Sequence, residues 1–313
     1  MSSKSRFVVA ALLCIAPSLL AGPKIGLLLK GQNIPFFLAV EKGAQEAAKE
    51  AGAELTVKAP LTELDVSIQI RLLNAMAAQG MEAIVISPIN KEALAVPIAS
   101  IAVKGQTKFI VIDTPITGNA APVFIGTDHE AAGKDAGALL AKLVGPNDEV
   151  AIFKHSQSSG ATMQRDVGAL AGFRSVHPNS VVYGDIYAST EPGTEKARAE
   201  LVLKNHPNIK GVLATGTAGT LAMLELLQER NLTSQIKLIG FGFNLQPKVA
   251  AAIESGALAG WIAQLPHEIG SKGIKAALSV IKGENVEPII HTPVVIVTKD
   301  NLKNPEIQAL MTR

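Results

Sequence analysis

The chain has 313 residues, 48% of them apolar and only 4% aromatic, with 29 basic side chains against 27 acidic ones. A balance this close to neutral, with no clustered basic stretch, excludes the positive field that nucleic-acid binding needs and gives no footing for a peripheral membrane contact. A single cysteine excludes a disulfide framework and any cysteine metal site, and the length is that of two domains rather than one core.

The first segment reads as an export signal. Lys4 and Arg6 form a basic start, Phe7 to Ala16 is almost wholly apolar, and Pro17 ends the run before Leu19-Leu20-Ala21 leads into Gly22. This order describes a cleavable signal over residues 1–21, cut after Ala21. A membrane span would need roughly 20 apolar residues, more than this run supplies. Cys14 lies within the signal and follows Leu13, not the small residue that precedes a lipid-modified cysteine. The mature chain is therefore expected to be thiol-free. Removing Lys4 and Arg6 also leaves basic and acidic residues equal in number.

Beyond the signal, short apolar runs alternate with helical patterns. Strands are predicted at Ile25–Leu29, Glu54–Val57, Ala83–Ile86, Phe109–Ile112 and Val123–Ile125. After Gly145-Pro146 they resume at Glu149–Phe153, Val181–Asp185, Gly211–Ala214 and Lys237–Phe241. Helices are predicted over Phe36–Ala51, Val66–Gln79, Glu130–Leu143, Thr194–Asn205 and Ala218–Arg230. In the first of these, Phe37, Val40, Ala44 and Ala48 recur at helical spacing. Strands separated by helices of this length pair in parallel through right-handed crossovers. Two βα series thus imply two doubly wound α/β lobes. The late strands Leu258–Ala263 and Thr292–Val297 flank a helix from His267 to Lys282, and can return to the first lobe and then the second. That path gives three crossovers between lobes, with one lobe holding residues 24–127 plus 265–291 and the other 128–264 plus 292–313.

No catalytic set emerges. The six histidines are scattered without metal-ligand spacing, and neither a serine elbow nor a phosphate loop is present. Gly240-Phe241-Gly242 lacks the third glycine of a dinucleotide turn. Asp128-His129-Glu130 could ligate a cation, but it opens a helix, where acidic residues cap free N–H groups. No metal and no cofactor are expected.

What remains are polar and aromatic residues placed just after predicted strands. Lys30, Gln32 and Asn33 follow the first, and Pro35-Phe36-Phe37 then starts the helix. Ser87 follows the third strand, Asp113 and Thr114 the fourth, Thr215-Gly216-Thr217 a second-lobe strand, and Gln264 ends a late one. In parallel sheets ligands sit beyond the carboxyl ends of strands. Hydroxylated ligands need paired acceptors and donors for OH groups and flat apolar faces for C–H surfaces. Asp113 and Gln264 supply the former and Phe36 or Phe37 the latter, while helical spacing sends one of the two rings toward the core.

Over the whole mature chain, the sequence resembles the ribose-type periplasmic sugar-binding proteins of ABC transporters. These share the type I binding-protein fold with LacI-family effector domains. The resemblance rests on Ile25-Gly26-Leu27-Leu28-Leu29 leading to Pro35-Phe36-Phe37, then Gly43-Ala44, Ile86-Ser87-Pro88 and Ile112-Asp113. It continues with Gly126-Thr127-Asp128 before Ala132-Gly133, then Gly172-Phe173, Ile239-Gly240-Phe241, and Ala263-Gln264-Leu265-Pro266 with Ile269-Gly270. It implies an aromatic stack from Phe36 or Phe37, an Asp113 carboxylate taking two hydroxyls, and Gln264 closing the site at a hinge. It also implies a second-lobe arginine, a periplasmic location, a likeness to monomeric receptors, ABC permease partners and a chemoreceptor as a further candidate partner.

Several positions depart from that pattern. Gly242 stands where an acidic residue follows Gly-Phe, Gly216 where an asparagine binds a hydroxyl, and Thr114 where an arginine stands. Val167 occupies the arginine position, and Arg165 lies two residues earlier, so Arg165 can serve only with a longer loop or an earlier helix start. Unpaired hydroxyls cost roughly 1–3 kcal/mol each, which argues against a pentose pyranose held in the usual way. Lys30 with Asp113 is similar to the autoinducer-2-binding branch of this fold. The ligand expectation therefore spans a furanose, a linear polyol, a sugar acid and a furanosyl signal. A regulatory effector-binding domain is the alternative reading, and an enzyme on the same scaffold is a third.

Overall fold

A computed structural model describes residues 22–118, 121–157, 159–188 and 193–309; the predicted export signal lies outside the described residues. The first half of the chain forms β1 (Lys24–Leu28), α1 (Pro35–Glu50), β2 (Glu54–Lys58), α2 (Val66–Ala78), β3 (Ala83–Ile86), α3 (Ala95–Ala102), β4 (Lys108–Ile112) and β5 (Val123–Thr127). The pattern restarts with α4 (His129–Ala141), β6 (Val150–Phe153), α5 (Gly160–Val176), β7 (Val182–Tyr183), α6 (Glu195–Asn205), β8 (Gly211–Ala214), α7 (Thr217–Glu229) and β9 (Lys237–Phe243). It ends with α8 (Pro247–Ser255), β10 (Gly260–Gln264), α9 (Pro266–Ile281), β11 (Ile289–Thr292), β12 (Val294–Val297) and α10 (Pro305–Ala309).

The strands assemble into two six-stranded sheets. The first has the order β11-β5-β4-β3-β1-β2 and is parallel throughout. The second, β12-β10-β9-β8-β6-β7, is parallel except for β12, which runs antiparallel to β10. Helices on both faces leave no solvated side, so β3, β6 and β8 are buried at every residue. Four aliphatic clusters result, two flanking each sheet.

The chain passes between the sheets three times: from β5 to α4, from β10 to α9, and from β11 to β12. The last crossing corrects the single late strand expected at Thr292–Val297. Pro293 interrupts it, because a residue without an N–H cannot continue the ladder. Residues 289–292 therefore pair with β5 in the first sheet, while 294–297 pair with β10 in the second.

Where helices meet most closely, glycine makes the approach possible. A Cβ on Gly270 of α9 would lie 1.9 Å from the Val40 carbonyl oxygen of α1. One on Gly172 of α5 would lie 1.9 Å from the Lys134 carbonyl of α4. Both helix pairs thus touch backbone to backbone. Glycine in α5 also blurs its amphipathic pattern, which is why that helix is not visible from periodicity. Among the described residues, no helix is long and apolar enough to cross a membrane.

Candidate functional site

Both sheets have their topological switch next to the strand that begins them, between β1 and β3 in one and between β6 and β8 in the other. Ligands in open α/β sheets bind beyond the carboxyl ends of strands at such points. A cavity of about 340 Å³ lies there, lined from the first half by Lys30, Phe36, Phe37, Glu63 and Asp113, and from the second by His155, Arg165, Thr217, Phe243 and Gln264.

Asp113 organises the first wall. Its backbone has φ 62°, and the Thr114 N–H donates to the Ile112 carbonyl at 2.6 Å, so Asp113 is the centre of a tight three-residue turn. This turn ends β4 and leaves Asp113 5% exposed at the cavity. Lys30 Nζ at 2.7 Å, Ser87 Oγ at 2.9 Å and Thr114 Oγ1 at 3.0 Å all address Oδ2. Lys30 also donates to Thr114 Oγ1 at 2.5 Å. Among the described residues no donor addresses Oδ1, the acceptor left for a ligand. Burial opposes ionisation of Asp113, but Lys30 and the donated hydrogen bonds outweigh it and hold the carboxyl below its ordinary range. Ser87 and Thr114, both fully buried, therefore fix the carboxylate from behind rather than lining the cavity.

The aromatic pair divides as its spacing implied. Phe37 is 4% exposed and belongs to the core cluster, with one edge on the cavity. Phe36 is half-buried and meets Phe243 edge to face at 5.5 Å. Asn33 lies elsewhere: exposed, at φ 57°, it turns the chain into α1 beside an outer depression. Gln32 donates to the Ala59 carbonyl on the same outer side.

Arg165 carries the second wall. α5 begins at Gly160, early enough to bring Arg165 into the cavity from two residues before the expected position. Its Nη1 donates to the Thr215 carbonyl at 3.0 Å and its Nη2 to Gln264 Oε1 at 2.8 Å, while the guanidinium lies 5.1 Å from the Phe241 ring centroid. Burial lowers its pKa to about 10, so it stays cationic near neutrality. Gln264 reaches the Thr127 hydroxyl at 3.4 Å, spanning from the second sheet to the first. Thr215 is fully buried and accepts from the His155 N–H through its hydroxyl, whereas Thr217 lines the cavity.

Two departures from the family pattern acquire a structural cause. A Cβ on Gly242 would sit 2.0 Å from the Trp261 ring, and one on Gly216 would sit 2.8 Å from His155 Nδ1. A ring from a neighbouring element occupies the space beside each glycine. The His155 Nδ1 has no hydrogen-bond partner among the described residues, and burial, then Arg165, lowers its pKa to about 4, so the imidazole is neutral near pH 7.

Glu63, His155 and Phe243 line the cavity without having been singled out from the sequence. His155 follows β6 as other polar residues follow their strands, a signal that was available. Glu63 sits in a loop beyond β2, where no strand end marks it, and burial raises its pKa against the lowering effect of Lys30. Asp128 caps α4 by accepting from the Ala131 N–H at 3.0 Å. No group of three His, Cys, Asp or Glu side chains suited to a metal occurs among the described residues.

Two α/β units whose strand ends share one polar cavity define the two-lobed solute-binding class. Residues 25–285 match the model of the periplasmic binding protein domain, and the chain belongs to that family. It is 27% identical over 288 residues to the D-ribose/D-allose-binding protein of Pseudomonas aeruginosa, covering 88% of this chain and 89% of that one. It is 26% identical over 283 residues to the ribose import binding protein of Escherichia coli, covering 89% and 92%. Among solved structures it is similar to a carbohydrate transporter solute binding protein from Agrobacterium radiobacter in complex with D-arabinose. That match has a TM-score of 0.87 and 30% identity, covering 93% of this chain and 99% of the other.

Proposed function

We propose that this protein is a periplasmic receptor that takes up a sugar or related polyhydroxylated compound between its two lobes and hands it to an ABC importer, without catalysis. The observation that carries this reading is Asp113: three donors hold one carboxylate oxygen and leave the other at a cavity flanked by aromatic rings and Arg165. An ionised acceptor of that kind suits hydroxyl groups, and Phe36 suits the C–H face of a sugar ring. The ribose, allose and arabinose named for its relatives point to the same chemistry.

The ligand contacts in this reading are Lys30, Phe36, Phe37, Glu63, Asp113, His155, Arg165, Thr217 and Gln264. Lys30 is matched by Asp113, while the hydrogen-bond partners of Arg165 are neutral, so a neutral polyol and a sugar acid both fit the charge of the cavity. The lobes comprise residues 24–127 plus 265–291 and 128–264 plus 292–313, a division that agrees with the membership of the two sheets except at Thr292, which pairs with β5 of the first. Export through the segment 1–21 brings the protein to the periplasm. A thermal-shift screen of protein stripped of carried-over ligand tests the proposal. D-Ribose, D-allose, D-arabinose or xylitol should raise the melting temperature; failure of every sugar and polyol overturns the ligand class.

A further inference from the structure

His129 lies outside the cavity lining yet touches both charged arms of the site. It is the first residue of α4, immediately after the chain leaves the first sheet, and it is 1% exposed. Its Nε2 is 2.9 Å from the Asp113 carbonyl oxygen. A carbonyl only accepts, so Nε2 carries the proton and Nδ1 is left as an acceptor. On that side stand Arg165 Nε and Nη2, each 3.3 Å from Nδ1. The imidazole must therefore be the neutral Nε2–H form: a second proton would face a guanidinium. Burial and then Arg165 depress its pKa to about 3, in keeping with this geometry.

Both partners need such a hold. Asp113 has a positive φ at the centre of its turn, a conformation that persists only where surrounding contacts fix it. Its N–H is bonded to the Ile125 carbonyl at 2.9 Å, and its own carbonyl is the group that His129 takes. Arg165 uses Nη1 on Thr215 and Nη2 on Gln264, so His129 is what addresses Nε.

We propose that His129 is a positioning residue that fixes Asp113 and Arg165 relative to each other, so that the charged arms of the two walls act as one preset unit. As regards ligand affinity, the inference rests on the receptor reading above; the hydrogen-bond bridge itself does not. Preset donors and acceptors avoid the ordering cost that binding would otherwise incur.

The first measurement needs neither ligand nor variant. Nitrogen-15 NMR of the unliganded protein should show His129 as the Nε2–H tautomer and a slowly exchanging Arg165 Nε–H. A proton on Nδ1 overturns the proposal. His129→Phe keeps a ring but removes both bonds, and should expose the Arg165 Nε–H to fast exchange. His129→Gln can donate and accept at similar reach and should retain protection. With whichever of D-ribose, D-allose or D-arabinose binds the unaltered protein, His129→Phe should weaken affinity about tenfold or more, and His129→Gln by no more than about threefold. Unchanged exchange in His129→Phe, or affinity equal to the unaltered protein, sinks the idea. If none of the three sugars binds the unaltered protein, the sugar reading fails and the exchange measurement alone decides the role of His129. If His129→Phe does not fold, the tautomer and the glutamine variant remain decisive.

Discussion

The two walls of the cavity are built on the same βα plan but differ in how their polar groups are held. On the first wall a carboxylate at the end of β4 is gripped by Lys30, Ser87 and Thr114, each within two residues of the end of a strand. On the second the chief cation comes from within a helix, α5, and two strand-end positions are glycines with rings packed beside them. The contrast teaches that the first wall presents one fixed carboxylate while the second is shaped by glycines and packed rings, so under the proposed function the second wall would select the shape of the ligand.

The largest test of this contrast is Asp113→Ala. It removes the acceptor and leaves Lys30 buried without its partner, so sugar binding should fall by at least about 100-fold and stability by about 3 kcal/mol. Calorimetric titration and chemical denaturation read the two effects, and retained binding would show that the first wall is not the acceptor. Arg165→Met should weaken binding about 30-fold while preserving bulk near Phe241, as read by the same titration. An effect on the first wall much smaller than on the second would reverse the comparison.

Gly242→Asp sharpens it. If the ring of Trp261 closes this position, inserting a side chain should lower stability by about 2 kcal/mol and create no new ligand acceptor. A stable variant with tighter sugar binding would mean the ring moves aside. His155 provides a pH test: its pKa is about 4 in the fold against an ordinary 6.5. A depressed histidine contributes stability that is present above pH 6.5 and lost as pH falls through 4, because the unfolded chain takes the proton first. Asp166, raised to about 6 mainly by burial, runs the other way, its contribution being lost as pH rises through that value. Between pH 7 and 4.5 the unaltered protein should therefore lose about 2 kcal/mol more stability than His155→Gln, a comparison in which Asp166 cancels. Denaturation at several pH values checks it. The smallest effect is expected at Asn33, outside the cavity: Asn33→Ala should cost about 1 kcal/mol through its positive φ and leave sugar affinity unchanged.

The fold was largely legible because strands buried on both faces are continuous apolar runs between helices of regular length. The sequence pattern predicts one late strand at Thr292–Val297 and misses Ile289–Thr292, since so short a run has no periodicity to mark it as a strand until the sheet it joins is known. For the site, position after a strand located Lys30, Ser87, Asp113, Thr215, Thr217 and Gln264, but could not say which of them face the cavity. Ser87 and Thr215 do not; their hydroxyls are turned to Asp113 and to the His155 backbone. Arg165 came from the family resemblance, displaced by two residues, because the start of a glycine-rich helix has no clear pattern. Glu63 and His129 were hidden for different reasons. One depends on where a loop folds back, and the other looks like an ordinary residue in the first turn of a helix.

The passage through Pro293 has a mechanical consequence. Strands in different sheets are joined there by one residue, and consecutive Cα atoms are about 3.8 Å apart, so this tie has almost no slack. The other two crossings also have one linking residue, Asp128 between β5 and α4 and Leu265 between β10 and α9, but each leads into a helix, whereas Pro293 ties strand directly to strand. Any rotation of one sheet against the other must carry its axis close to Pro293, as a door turns about its pin. Lengthening this link by a few glycines should free the axis and weaken the coupling between ligand capture and the closed shape.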